Sequence, residues 1–263
     1  SQTNIVLTRN VTMTPVTFSN MGGAVATWEI YPTLPSGVSM DSYGVISGTP
    51  AVNMSSTTYK IWANNSGGSD SVTISIMVNE PSANITASTV NTIATRDSPI
   101  YPVFIVNNGG AVVETWEVHP ALPSGLIFNS NNGTISGIPA VNMTTATYTI
   151  WANNSGGSEP VVISITINEP VAVISVSQSN VTLTRGLMMT KITVSNTGGE
   201  IATWSIHPAL PSGLSFNSIN GNISGLPTVN MSTTNFTIWA NNSGGSAFTI
   251  ITFIINEPVA NIA

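Results

Sequence analysis

The chain has 263 residues, of which only 6% are charged, and 11 acidic against 5 basic side chains give a formal net charge of −6. A chain with so few cations has no basic surface to neutralise phosphates, so no nucleic acid is expected as a partner. The absence of cysteine excludes disulfides and thiolate zinc sites. No apolar run reaches the ~20 residues of a membrane-spanning helix, so we expect no membrane span in this chain.

Two sequence blocks occur three times each. The first begins with Leu-Pro-Ser-Gly and occupies residues 34–50, 122–139 and 210–227, where the third copy reads LPSGLSFNSINGNISGLP. The second reads TYKIWANNSGGSD, TYTIWANNSGGSE and NFTIWANNSGGSA at residues 58–70, 147–159 and 235–247. Self-similarity at a fixed period is the signature of a repeat array.

A third repeated marker, Asn-Glu-Pro, predicts the borders between the repeats, because a proline ends a strand and sets the direction of the next segment. It occurs at residues 79–81, 168–170 and 256–258. We therefore predict domains at 1–81, 82–170 and 171–258, with a short segment at 259–263 left over.

In chain order, the third domain consists of short segments rich in β-branched residues and bounded by glycine, asparagine and proline. The predicted strands are AVISV (172–176), NVTLTR (180–185), KITVSN (191–196), TWSIH (203–207), GLSFN (213–217), NISG (222–225), TNFTIWANN (234–242) and FTIITFIIN (248–256). No segment has an apolar stripe at helical spacing over the ~10–12 residues that a helix needs. About seven short strands in one domain are typical of a β-sandwich.

Each domain carries two tryptophans, and we predict that both fill the space between the two sheets. Aromatic side chains of this size gain most from burial in a core. The alternative role is a platform on which a sugar ring stacks. The six predicted core residues are Trp28, Trp62, Trp116, Trp151, Trp204 and Trp239.

The pattern LPSGL-x-F-N-x-x-x-G-x-ISG-x-P, followed by Y-T-I-x-A-N-N-S-G-G-S, resembles the putative-Ig (PIG) repeat of prokaryotic surface proteins. The resemblance covers residues 34–80, 122–169 and 210–257, and this sequon-rich variant is most similar to archaeal surface proteins. It implies an all-β fold of three tandem Ig-like or cadherin-like β-sandwich domains, each about 88 residues long by the spacing of the repeats. It also implies an extracellular, cell-surface location and a structural or adhesive role, and it supplies no catalytic residues.

Twelve N-x-S/T sequons occur in the chain, and this motif is the acceptor for N-linked glycans. Two sets recur at equivalent positions in the three domains, which favours modification, although duplication of a repeat also preserves its turn residues. Covalent N-linked glycans would supply the polar surface that the missing charges do not. The candidate residues are Asn10, Asn53, Asn64, Asn84, Asn132, Asn142, Asn153, Asn180, Asn222, Asn230, Asn235 and Asn241.

Each predicted border carries one glutamate, and calcium is the cation to consider in a cadherin-like array. Calcium takes about six to eight oxygen ligands, usually from several carboxylates, and one acid per border does not provide them. We therefore expect no metal and no other cofactor, and we favour solvated glutamates or ion pairs with the arginine of the same domain. The residues concerned are Glu80, Glu169 and Glu257, with Arg9, Arg96 and Arg185.

The two histidines do not indicate catalysis. His119 and His207 occupy the place of Tyr31 in the first domain, and alternation between Tyr and His favours a packing position over a general base. No Ser–His–Asp arrangement recurs among the three domains. We therefore predict that the protein is not an enzyme.

The two ends of the chain are related by the repeat. SQTNIVLTR at residues 1–9 aligns with SQSNVTLTR at 177–185, which VAVISV (171–176) precedes. By this alignment the first domain lacks its first strand, and VANIA at 259–263 repeats the missing element.

In the interpretation that we favour, this segment completes the first sandwich of the next subunit by strand addition. The chain would then form a head-to-tail homopolymer, a surface filament. Alternatively, the chain is part of a longer covalent array, such as a giant surface adhesin or stalk whose domains bind carbohydrate or another cell surface. The predicted linkage residues are Val259, Ala260, Asn261, Ile262 and Ala263.

Overall fold

A computed structural model describes residues 3–260 of the chain. Within this range the protein consists of 22 β-strands joined by turns and contains no helix, which confirms the predicted all-β class. Every sheet draws its strands from one third of the chain, so three sandwiches, here units 1, 2 and 3, follow one another. Since residues 3–260 form no helix, they also contain no helical membrane span.

Unit 3 has two layers of strands. Its strands are β15 (Ile174–Val176), β16 (Asn180–Thr184), β17 (Val194–Asn196), β18 (Thr203–His207), β19 (Leu214–Phe216), β20 (Ile223–Gly225), β21 (Met231–Asn242) and β22 (Gly245–Asn256). The main sheet has the order β16-β22-β21-β18, in which β16 runs parallel to β22 and the other neighbours are antiparallel. The second layer consists of the pairs β15–β17 and β19–β20, which a bridge between Ile192 and Ile223 connects.

Unit 2 repeats this arrangement, and unit 1 repeats it with two strands fewer among the described residues. The strands of unit 2 are β7 (Ile85–Ala87), β8 (Asn91–Thr95), β9 (Ile105–Asn107), β10 (Thr115–His119), β11 (Leu126–Phe128), β12 (Ile135–Gly137), β13 (Met143–Asn154) and β14 (Gly157–Asn168). Those of unit 1 are β1 (Asn4–Thr8), β2 (Thr27–Tyr31), β3 (Val38–Met40), β4 (Ile46–Gly48), β5 (Met54–Asn65) and β6 (Gly68–Asn79).

The two long central strands of each unit supply most of its core. In β21 and β22 the buried side chains are two residues apart, and each is at most 2% exposed: Phe236, Ile238, Ala240, Ile251, Phe253 and Ile255. A period of two is the pattern of a strand that packs one face on a core. The predicted sandwiches are therefore confirmed.

One glycine of the Leu-Pro-Ser-Gly block is required by a tight contact. Gly221 lies in the turn between β19 and β20 with φ +72°, and a Cβ there would lie 2.7 Å from Cε3 of Trp204. Gly44 and Gly133 take the same place against the tryptophans of units 1 and 2, where the closest approach would be 2.6 Å. Only glycine lets this turn close over the ring, which explains its presence in all three copies.

Only one tryptophan of each unit lies in the core. Members of the first set, Trp28, Trp116 and Trp204, pack against the buried clusters. The second set lies half-buried on the outer face of the main sheet, because each member directly follows a buried isoleucine on its strand; this set is Trp62, Trp151 and Trp239. The prediction of two core tryptophans per domain is therefore wrong for the second set.

Unit 1 has an open edge in its second layer. In the other units β7 pairs with β9, and β15 pairs with β17. Residues 18–20 correspond to β9 and β17, but they have no strand partner among residues 3–260. The next part of that layer is intact, since Val16 still bridges to Ile46.

Candidate functional site

The junction between units 1 and 2 is built on Glu80 and Pro81, which directly follow β6. The Glu80 carboxylate accepts hydrogen bonds from Nε and Nη2 of Arg9 at 2.9 and 2.7 Å. The backbone N–H of Glu80 donates to Oγ of Ser155 in unit 2 at 3.0 Å. Nδ2 of Asn154 donates to the Pro81 carbonyl at 2.9 Å. Glu80 therefore bonds to unit 1 through its side chain and to unit 2 through its backbone.

The junction between units 2 and 3 repeats these contacts. Nη1 of Arg96 donates to Glu169 at 3.0 Å, and the Glu169 N–H donates to Oγ of Ser243 at 2.8 Å. Nδ2 of Asn242 donates to the Pro170 carbonyl at 2.8 Å. Glu169 is only 5% exposed, so this ion pair is more deeply buried than an ordinary surface pair.

Two glycines allow the linker backbone to approach the hairpin of the following unit. A Cβ at Gly156 would lie 2.0 Å from the Glu80 carbonyl oxygen, and one at Gly244 would lie 2.0 Å from that of Glu169. Gly67 is the counterpart in unit 1, and a Cβ there would meet only the Asn65 side chain at 3.2 Å. The Asn-Asn-Ser-Gly-Gly block thus forms a hairpin in all three units and a linker contact in two of them.

Sequence reasoning found both motifs of the junction and missed their contact. Asn-Glu-Pro predicts a border, and the Asn-Asn-Ser-Gly-Gly block lies at the connection between two predicted strands, but neither motif by itself predicts the other. One signal was available, because a two-residue hairpin does not need the same Asn and Ser in every copy. That identity indicates a second contact.

The border glutamates pair with arginine, as favoured from the sequence. Arg185 forms the third pair with Glu257, and the hydrogen bond from Asn230, together with the positive charge of Arg185, lowers the pKa of the Glu257 carboxyl. No group of three or more His, Cys, Asp or Glu side chains that could hold a metal occurs within residues 3–260.

A groove of about 1120 Å³ lies at the open edge of unit 1. The apolar residues that line it include Phe18, Val25, Trp28, Ala63 and Val72. The counterparts of these residues in unit 2 are covered, because they pack against Ala83 and Ile85 from the start of that unit. The groove is thus the place that a first strand occupies in units 2 and 3.

None of the twelve sequon asparagines is buried. The set Asn64, Asn153 and Asn241 lies on the outer face of the main sheet, where each amide donates to a threonine on the neighbouring strand at 3.3 to 3.4 Å. Asn53 lines a cleft of about 350 Å³ beside the first junction. The sequon side chains are thus at least partly exposed, and their modification stays a prediction.

The predicted linkage segment is only partly described. Val259 and Ala260 are exposed and belong to no strand, while Asn261, Ile262 and Ala263 lie outside the described residues. The predicted packing role of His119 and His207 is wrong, because both are exposed, as is Tyr31.

The family model described as "Putative Ig domain" matches the chain three times, at residues 1–79, 81–168 and 170–256. The chain is also similar to curated proteins named "Serine-rich adhesin for platelets" from Staphylococcus aureus. It is 35% identical over 157 residues to that of strain MSSA476, covering 56% of this chain and 6% of the relative. It is 34% identical over 157 residues to that of strain MRSA252, covering 11% of the relative. The chain therefore spans a small part of the curated relatives that it matches.

Solved tandem-domain proteins align over nearly the whole chain at low similarity. The I-band fragment I67-I69 from titin aligns with 97% of this chain and 96% of its own, at a TM-score of 0.42 and 16% identity. Drosophila N-cadherin EC1-3 aligns with 98% and 99%, at a TM-score of 0.40 and 10% identity. Because the family model accounts for almost every residue in three successive copies, the chain belongs to the Putative Ig domain family.

Proposed function

We propose that this chain is a non-enzymatic segment of an extracellular, adhesin-type surface protein, in which the three sandwiches form a stiff stalk. The repeated junction is the observation that carries the proposal. A linker held by an ion pair on one side, and by two hydrogen bonds and a close glycine contact on the other, restricts bending between neighbouring units. The adhesin relatives support a role at a surface.

Glycine substitutions at the junction test this function. Gly156→Ala places a methyl group 2.0 Å from the Glu80 carbonyl oxygen, so the linker must leave its position. We expect the distance distribution between units 1 and 2 to broaden in single-molecule energy transfer. Because the chain has no cysteine, dyes attach uniquely through Tyr43→Cys and Tyr101→Cys, at side chains that are 83% and 81% exposed.

The matched control is Gly67→Ala, which changes the same motif in unit 1, where no linker from a preceding unit lies against it among the described residues. Its distance distribution should equal that of the unsubstituted chain. An equally broad distribution in the unsubstituted chain and in Gly156→Ala would contradict the stiff-stalk function.

In place of a longer covalent array, we propose as the finer alternative a head-to-tail homopolymer, in which residues 259–263 of one copy complete unit 1 of the next. The open groove in unit 1 supports this proposal, since a segment of similar sequence fills the equivalent place in units 2 and 3. In sedimentation velocity, the full chain should form a ladder of species that grows with concentration. Deletion of residues 259–263 should leave only monomer, and a ladder that survives the deletion would rule out exchange through this segment.

N-linked glycosylation and an archaeal source remain proposals of the same kind. The recurrence of accessible sequons in three units supports glycan attachment. A mass for native material above the 27.4 kDa of the bare chain is the expected result, and an equal mass would exclude the modification.

A further inference from the structure

We infer that the groove of unit 1 is a specific binding site for a short β-strand of sequence Pro-x-Ala-x-Ile, supplied by Pro258 to Ala263 of a second copy of this chain. This inference rests on the homopolymer proposed above and assigns the acceptor residues and the side chains that they recognise. We call the site the strand groove; it is lined by Phe18, Val25, Trp28, Ala63 and Val72.

Unit 2 shows how such a strand binds. Ala83 and Ile85 are 3% and 6% exposed, and they pack against Ala152 with Trp116 and Val161 beside it. The equivalents of Ala152, Trp116 and Val161 in unit 1 are Ala63, Trp28 and Val72. The side chains that would lie beneath the strand are therefore identical in the two units. The strand groove therefore has one place for an alanine and one for an isoleucine, on alternate residues of the incoming strand.

Unit 3 shows that the backbone of the strand needs glycine in the groove wall. A Cβ at Gly198 would lie 2.4 Å from the Val171 carbonyl oxygen, and one at Gly199 would lie 1.9 Å from that of Pro170. The counterparts in unit 1 are Gly22 and Gly23, where the nearest atoms to a Cβ lie at 3.6 and 3.3 Å. Unit 1 thus keeps the space for a strand backbone.

In the wall of the strand groove, the Asn20 side chain already has the orientation with which its counterpart in unit 3, Asn196, binds the first strand of that unit. In unit 3, Asn196 donates to the Gly199 carbonyl at 2.8 Å, accepts from Gly198 N–H at 2.9 Å and also accepts from Val173 N–H at 3.0 Å. In unit 1, Asn20 makes the first two of these bonds at 2.8 and 3.0 Å. The same amide oxygen would receive the N–H of an incoming strand.

Three segments of the chain carry the sequence that the groove fits. Two of them, Pro81-x-Ala83-x-Ile85 and Pro170-x-Ala172-x-Ile174, begin units 2 and 3, and the third is Pro258-x-Ala260-x-Ile262. Burial of the alanine and the isoleucine removes apolar surface from water on both partners. The strand also pairs an edge that would otherwise expose unpaired backbone groups.

A labelled peptide of residues 168–177 tests the strand groove directly. We expect saturable binding to the full chain by fluorescence anisotropy, and a rise in melting temperature with peptide concentration, because the peptide binds only folded unit 1. A peptide carrying Ala172→Lys and Ile174→Asp should bind at least tenfold more weakly. Gly22→Ala in the chain should also weaken binding at least tenfold, with an unchanged circular dichroism spectrum.

The sharpest control fills the strand groove with a strand that belongs to the same chain. A chimera with a copy of residues 170–176 placed before Ser1 should not bind the peptide, while the same chimera with Ala172→Lys and Ile174→Asp in the copy should bind it. Absent binding to the full chain, or equal binding to both chimeras, would overturn the inference. A chain that binds the peptide but stays monomeric would exclude the homopolymer and overturn the assignment of a second copy as the source of the strand, while the specificity of the groove for Pro-x-Ala-x-Ile would stand.

Discussion

At the scale of residues, several glycines lie where the Cβ of any other residue would overlap a neighbouring atom. Gly133 faces the Trp116 ring and Gly156 faces a carbonyl of the linker, so neither position has room for a Cβ. Gly186 differs, since a Cβ at its φ of +80° would meet no atom within 4 Å. Its counterparts in units 1 and 2 are Asn10 and Asp97, both with φ 61°.

This difference predicts opposite outcomes for two asparagine substitutions. Gly186→Asn should change the free energy of unfolding by less than about 0.5 kcal/mol, because asparagine tolerates the left-handed region and the space is open. Gly133→Asn should cost about 2 kcal/mol or more, because a Cβ would lie 2.6 Å from Cε3 of Trp116. Urea unfolding of the two variants measures both, and equal costs would refute the tryptophan contact as the reason for the motif.

At the scale of elements, the alternation along the long strands was predictable, and the face that each tryptophan takes was not. Ile61 and Trp62 are adjacent on β5, so only one of them can face the core, and the core takes Ile61, which is 0% exposed. A large aromatic side chain suggested burial by size alone, whereas the period of two decides the face. The predicted strand at 191–196 shortens to β17 (Val194–Asn196), because Ile192 makes only an isolated bridge.

The two ion pairs at the ends of units 2 and 3 should differ in strength. Arg96→Ala leaves Glu169 buried, with one carboxylate oxygen that already has no partner among the described residues, and should destabilise unit 2 by roughly 2–3 kcal/mol. This is less than the loss for a fully buried pair, because the Arg96 side chain is 28% exposed.

Arg185→Ala is the control for this prediction. The Arg185 and Glu257 side chains are 44% and 52% exposed, so the loss should be clearly smaller than that of Arg96→Ala, because solvent screens an exposed ion pair. Thermal unfolding of the two variants measures the loss of stability when each ion pair is removed. Equal losses would show that burial of Glu169 does not strengthen its pair.

At the scale of the whole molecule, the sequence alone was sufficient to predict the number of units and their fold class. The repeated blocks carry the turns and the core of each sandwich, so their period predicted three units. The junctions could not be predicted in the same way, because Glu80 and Ser155 are far apart in sequence and belong to different repeats. The alignment of SQTNIVLTR with SQSNVTLTR identifies the strand pairing of unit 3 that unit 1 does not make within residues 3–260.

The central claim is that the three units form one stiff array through repeated junction contacts. The most direct measurement is the set of residual dipolar couplings of the chain in a weakly aligning medium, fitted separately for each unit. A stiff array predicts alignment tensors of the same magnitude in all three units. In Gly156→Ala, the tensor of unit 1 should differ in magnitude from those of units 2 and 3. Tensors of clearly different magnitude in the unsubstituted chain would show that the units reorient independently, and would contradict the account.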